Sequence, residues 1–355
     1  MSLPSAPDRP AGTTPDRVAG GAVRRRPRGR ALGLLVLVAV LGIAVVLSLA
    51  LGTRDVPVDQ VIGALFTPTG DEFAESAVRS RIPTTVTGVL VGAALGLGGA
   101  LMQGISRNPL ADPGLLGVNS GASVAVVLAM AFGLATTPLA TLWFAFLGAA
   151  AAVAVVYGIA AASRSGATPL TLALAGAAVV AICTSIVSGV LIVDASTLDG
   201  FRHWQLGSLT AASGDALAQL APFVAVGAVL ALVLGGALNG LALGDDVAVA
   251  LGQRVRLTRS LAAASVVLLC GAATALAGPI AFVGLAVPHA VRALVGADYR
   301  WVLPLSALAG AALLLVADVV GRLVARPTTL EVGIVTAFIG APVFIALVRR
   351  RAVSA

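Results

Sequence analysis

Few side chains in this sequence could carry covalent or metal chemistry, and their spacing argues against both. The two histidines, His203 and His289, stand far apart with no cysteine beside them, and the two cysteines, Cys183 and Cys270, each fall inside an apolar run. Neither spacing fits a metal cluster or a disulfide framework. Asp318 is an acid inside a long apolar stretch, where a carboxylate costs about 2.5–3.5 kcal/mol at a helix centre on insertion scales. Arg322 follows one turn later, so the two can pair at i,i+4. A structural intramembrane pair of Asp318 and Arg322 is the expectation, with a proton site as the alternative. All 23 basic residues are arginine and none is lysine. A Walker-type phosphate loop needs a lysine on the β- and γ-phosphates, so a standard ATP site is excluded. The sequence offers no Ser/His/Asp, His/Glu or paired-acid constellation, and no cofactor is expected.

The elements that position these groups are set by composition. Of 355 residues, 58% are hydrophobic and 11% charged, against about 25% charged in a soluble globular chain. Mean hydropathy is +1.01. One soluble core of this length cannot bury so much apolar surface, whereas a bilayer accepts it. The net charge of +7 is explained by where the arginines lie and does not call for nucleic acid.

Residues 1–30, rich in Pro, Gly and Arg, read as a disordered basic tail. The apolar run that follows, 31–51, exceeds the roughly 7–15 residues of a secretory h-region, so a retained first helix is expected. A spanning helix needs about 20 mostly apolar residues. That places helices near 31–51, 83–103, 114–134, 139–162, 170–193, 217–237, 258–277, 280–296, 303–323 and 332–348, an all-α polytopic membrane protein of about ten spans in one permease domain, 31–355. The eighth is short and opens at Gly278-Pro279, so nine is the alternative count. Ten spans put both termini on one side, with seventeen arginines there and six opposite. Positive charge is retained on the cytoplasmic side, which puts both termini in the cytoplasm.

Several segments depart from plain helix or loop. Gly88, Gly92, Gly96, Ala100 and Gly104 make a small-residue stripe of the kind that lets helices approach closely in lipid. Arg81-Ile82-Pro83 opens the second span, with Pro83 suited to a first helical turn. Arg107 to Gly114 holds two prolines and a glycine, which forbid a continuous helix and make a rigid inner turn. In the longest inner loop, about 238–257, Asp245 and Asp246 suit a helix N-terminus, Val247 and Leu251 give an apolar face, and Gly252 suits a stop. A short helix there, following Gly244 and lacking a cationic face, is expected to dock in a partner's groove. Ala277 to His289 is broken by Gly and Pro, so its backbone must be buried in protein or line a cavity.

Taken in order, these pieces resemble the permease family of bacterial importers for iron–siderophore, haem and cobalamin, the transmembrane subunits of type II ATP-binding cassette importers. The resemblance rests on Arg81-Ile82-Pro83, Met102-Gln103, Asn108-Pro109-Leu110-Ala111-Asp112-Pro113, Leu116-Gly117, Trp204 with Gly207-Ser208-Leu209, Leu243-Gly244-Asp245, Leu251-Gly252, Ala277 to His289, Leu303-Pro304-Leu305-Ser306, Ala317-Asp318, and Gly333 to Thr336 through Gly340-Ala341-Pro342. It implies a pair of ten-helix subunits, a homodimer or a heterodimer with a close paralogue, in a bacterial inner or plasma membrane. Two cytoplasmic ATPase subunits would drive it and an extracytoplasmic binding protein would deliver an iron–siderophore, haem or cobalamin-type ligand. It makes Gly244, Asp245, Asp246, Val247, Leu251 and Gly252 the ATPase-coupling segment and Asn108 and Leu110 inner-gate residues, with Thr168 to Leu170 a second gate. It makes Arg81 and Arg322 positive posts for the binding protein. Thr84 stands where the family often has a second Arg, and Thr329-Leu330-Glu331 replaces its Glu-Leu-Pro, so Arg79 or Arg326 is left to compensate. The competing readings are a proton- or sodium-coupled carrier, resting on Asp318, His289 and the broken segment near Gly278, and a membrane enzyme, for which no constellation is found.

Overall fold

A computed structural model describes residues 27–52, 55–66, 72–164 and 166–352. The expected basic tail lies almost wholly outside them. The described residues form helices and connections without strands. In chain order these are α1 (Pro27–Ala50), α2 (Val58–Phe66), α3 (Glu72–Ser106), α4 (Val118–Ala131), α5 (Pro138–Ala162), α6 (Pro169–Val193), α7 (Ala195–Gln205), α8 (Gly214–Val233), α9 (Gly235–Ala242), α10 (Asp245–Ala250), α11 (Val255–Val266), α12 (Ala272–Ala277), α13 (Val283–Val295), α14 (Tyr299–Val324) and α15 (Val332–Ala352). One 3-10 turn, Pro113–Leu116, precedes α4, and a π turn, Val267–Gly271, joins α11 to α12.

Among the described residues, seven helical stretches are long and apolar enough to cross a membrane: α1, α3, α5, α6, α8, α11 through α12, and α14. Three shorter apolar helices, α4, α13 and the first half of α15, complete the set. Each of the ten expected segments has a helix over it. The weak eighth begins at Val283, after Phe282 turns the backbone left-handed at φ 68°.

The centre of the bundle is α3, packed chiefly on α14 and also on α13, α8, α11 and α12. The small-residue stripe makes this approach possible. A Cβ on Gly92 would meet the backbone of Gly310 and Ala311, one on Gly96 the Ser306 carbonyl, and one on Gly99 the backbone of Gly284, all closer than 3.0 Å. Overpacking of this kind costs about 1–3 kcal/mol. We therefore expect Gly96→Ala and Gly99→Ala each to lower the thermal unfolding midpoint in detergent. Gly158→Ala, at an open position on α5, should leave it unchanged.

Two expectations need correction. Pro83 does not open a helix: α3 starts eleven residues earlier and runs through it. A proline removes one i→i−4 hydrogen bond, and this long, well-packed helix tolerates that loss. The second correction concerns small helices. Both α2 and α7 lie in what read as connections. Asp194 caps α7, accepting from the backbone N–H groups of Ser196 and Thr197. The hydroxyls of Thr197 and Ser196 also donate to it, and together these bonds hold its carboxyl at about 2. Its capping contribution is complete above the ordinary 3.8 and is lost as pH falls through about 2.

Candidate functional site

The face expected on the cytoplasmic side is built around α10. Gly244 takes φ 110° and Gly252 φ 79°, backbone that favours glycine, so this six-residue helix is bounded on both sides. Ala248 is buried beneath it, while Val247, Val249 and Leu251 are exposed. An apolar face held out in this way has no cover among the described residues. At its start, Asp245 Oδ1 accepts from Arg259 Nη2 at 3.0 Å and lies 3.6 Å from Arg107 Nη2. The buried Arg259 belongs to α11, and Arg107 is the first residue of the turn that follows α3. One carboxylate thus ties α10 to two spans. Asp246 is exposed beside it.

The turn after α3 is self-braced. Asn108 Oδ1 accepts from Leu110 N at 3.0 Å, and Asp112 Oδ1 from Gly114 N at 2.7 Å. Across from it, Thr168 and Thr171 form a reciprocal capping box at the start of α6. A cavity of about 260 Å³ lies between the two, lined by Met102, Ile105, Asn108, Leu115, Pro169 and Leu170 among others. The two segments expected to gate therefore share one cavity. Asn108 lines it; Leu110 is half-buried and sits outside it.

On the face expected outside the cell, the two arginines expected as positive posts are engaged within the chain. Arg322 is buried, its Nε donating to Asp318 Oδ2 at 2.8 Å and Nη2 donating to the same oxygen. The pair expected at i,i+4 is therefore formed. Arg322 also donates to the carbonyls of Ser48 and Leu51, at 3.0 and 3.2 Å. Arg81 is half-buried and donates to the carbonyls of Leu49 and Ala50, at 2.8 and 2.9 Å. A helix ends with carbonyls that have no partner inside it, and cations there also complement the helix dipole. The two arginines cap the end of α1. Arg322 is thus paired with Asp318 and buried against α1. Exposed positive charge near this mouth belongs to Arg79 and Arg326. Arg326 donates to Asp55, and that bond holds the Asp55 carboxyl below the usual carboxylate range.

A second cavity, of about 390 Å³, lies at the junction of α5, α7 and α12 and is lined by His203, Trp204, Ser208, Gly278 and Glu331. Gly278 takes φ 73° and packs against the Trp204 carbonyl, so the broken segment lines a cavity. Sequence reasoning missed this juxtaposition, as it missed the π turn that holds the buried Cys270. It also missed Asp298, which accepts from Asn239 at 2.7 Å and from Arg30 at 3.4 Å and so ties α9 to α1. Capping chemistry was the available signal, since Asp298 directly precedes α14. Among the described residues no group of three His, Cys, Asp or Glu could hold a metal ion.

Comparison with known proteins decides the family. Residues 40–350 match the FecCD transport family. The chain belongs to that family. Relatives include the ferric enterobactin transport system permease protein FepD of Escherichia coli (strain K12), 44% identical over 91% of this chain and 96% of the relative. The Fe(3+)-citrate import system permease protein YfmD of Bacillus subtilis (strain 168) is 41% identical over 92% of this chain and 97% of its own. The cobalamin import system permease protein BtuC of Halobacterium salinarum is 40% identical over 78% of this chain and 73% of its own. Among solved structures, a metal-chelate type ABC transporter in an inward-facing conformation superposes with a TM-score of 0.78 at 30% identity, covering 90% of this chain and 99% of that one. This FecCD protein is accordingly an all-α, multi-pass transport permease.

Proposed function

We propose that this FecCD permease is one of two membrane subunits of an importer that carries a ferric siderophore into the cell, with ATP hydrolysed by separate cytoplasmic subunits. The observation that carries this reading is α10, an exposed apolar helix pinned through Asp245 to the gate turn at Arg107 and to α11 at Arg259. A helix so held can pass a push from a docked ATPase to the turn at Asn108 and Leu110. Gly244, Asp246 and Gly252 set its ends, and Val247 and Leu251 are its contact surface. The iron-chelate ligand is favoured by the enterobactin and citrate permeases among the relatives, ahead of haem and cobalamin. Little of α6 is buried within one chain, and Leu170, Leu174, Ile182 and Ile186 are exposed along it. That face suits a second copy of the subunit across the pathway. The arginine bias supports cytoplasmic termini in an inner or plasma membrane. Asp318 is locked to Arg322, so nothing favours the ion-coupled carrier.

Docking of the extracytoplasmic binding protein is proposed for the outer mouth, at Arg81 and Arg322 with the exposed Arg79 and Arg326 beside them. Arg79→Glu and Arg326→Glu should each weaken association with the binding protein, and the loss should shrink as salt is added. Affinity measured by titration at low and high ionic strength checks this. Unchanged affinity in both variants at low salt would assign docking to uncharged surface.

A further inference from the structure

Between the α5–α6 turn and the start of α11 lies a cavity of about 810 Å³ whose walls carry Arg164, Arg254, Arg256 and Arg259. Asp245 is the carboxylate on these walls, and it is already shared between Arg259 and Arg107. Arg164, Arg254 and Arg256 are exposed, and among the described residues no carboxylate lies within 4.0 Å of any of them. Arg259 is different. It is only 5% exposed, two of its nitrogens donate to Asp245 and the Ala167 carbonyl, and its buried Nε has no hydrogen-bond partner. Tyr157 and Ser260 share a 2.8 Å hydrogen bond on the same wall. The lining therefore combines excess positive charge, a buried guanidinium with an unpartnered Nε, and the hydroxyls of Tyr157, Ser163, Thr168 and Ser260.

Its position narrows the ligand. Three membrane spans end or begin at this cavity: α5 at Ala162, α6 at Pro169 and α11 at Val255. Such a place is headgroup level, and Ile159 on α5 and Leu257 on α11, next to the lining residues, are exposed apolar side chains. Basic pockets between spans at this depth recognise anionic headgroups. A guanidinium presents its donors in a planar fork that matches phosphate oxygens. We propose that this cavity is a phosphate-binding site, filled by the headgroup of an anionic phospholipid or by free phosphate. The proposal needs only that the chain spans a membrane, so its failure leaves the importer reading untouched.

The test uses the full chain purified in detergent with phosphatidylcholine, titrated separately with phosphatidylglycerol and with inorganic phosphate. Binding is read by native mass spectrometry and by the shift in thermal unfolding midpoint. Phosphatidylglycerol should be retained over phosphatidylcholine. Counting about 1 kcal/mol for each arginine that contacts the bound headgroup, Arg254→Gln with Arg256→Gln should weaken retention about thirtyfold. Arg300→Gln, an exposed arginine at the start of α14 and outside the cavity, should change nothing. If inorganic phosphate binds to the wild type, is lost in the double variant, and phosphatidylglycerol is not retained, the site stands with free phosphate as its source. Circular dichroism and elution position report folding, and Arg164→Gln replaces the double variant if that does not fold. Equal retention of both lipids with no phosphate effect, or equal binding by wild type and variant, overturns the proposal. So does loss of a partner ATPase in the double variant with lipid and phosphate binding unchanged, because the arginines then belong to a protein interface.

Discussion

Replacing Leu251 with Asp should abolish stimulated ATP hydrolysis and uptake while leaving the permease folded and able to capture loaded binding protein. Leu251 caps the C-terminus of α10 and is 64% exposed, beside Val247 at 44%. A partner groove that buried both would gain about 1.5–3 kcal/mol for each side chain. A carboxylate placed there removes that gain and has no cation to meet it. Arg81 and the Arg107 turn that contacts α10 lie toward opposite ends of α3, so capture on the outer face should be independent of the change. The assay is reconstitution with ATPase and binding protein, scoring complex recovery, ATP turnover and transport separately. Normal ATPase recovery and normal transport in Leu251→Asp would remove α10 from the coupling role. The turn from Asn108 to Pro113 would be the next candidate.

The second large effect concerns the outer mouth. Arg322→Met leaves Asp318 buried with no cation and strips the carbonyls of Ser48 and Leu51 of a donor. Removing one partner of a buried pair costs about 3–5 kcal/mol, whereas replacing both partners with apolar groups is often neutral. The expected result is a sharp fall in folded yield and unfolding midpoint for Arg322→Met. Most of the midpoint should return in Asp318→Leu/Arg322→Met. A single variant as stable as the wild type would mean that the pair and the cap contribute nothing to holding α1 against α14. A double variant no better than the single would shift the effect from the uncompensated Asp318 to the lost cap on α1.

These two sites mark what sequence could and could not show. The α10 segment was legible because its signals are local: adjacent acids for a helix start, Gly244 and Gly252 for its ends, and an apolar face between them. The seven long apolar helices were legible for the same reason, since about 20 apolar residues in a row need no tertiary context. The roles of Arg81 and Arg322 were not legible. Each lies more than thirty positions from the α1 carbonyls it caps, with Arg322 274 residues from Ser48, so only the packed bundle reveals that they are occupied. Asp318 with Arg322 was readable at i,i+4, but its burial against α1 was not. The helices α2 and α7, of nine and eleven residues, fall below the length at which periodicity stands out. Pro83 misled because a proline marks a helix start by base preference, and here α3 simply continues through it. The shared cavity of Asn108 and Leu170 joins segments about sixty residues apart in a chain whose gate residues carry no chemical signature of their own.

The central claim is that transport through this FecCD permease is driven by ATP hydrolysed on a partner docked at α10. The most direct measurement is ligand uptake by proteoliposomes that contain the permease, its ATPase and its loaded binding protein, with ATP or an imposed proton or sodium gradient as the only energy source. The account predicts uptake with ATP, none with either gradient, and no ATP hydrolysis by the permease alone, which has no lysine for a phosphate loop. Uptake driven by a gradient in vesicles lacking the ATPase would contradict it.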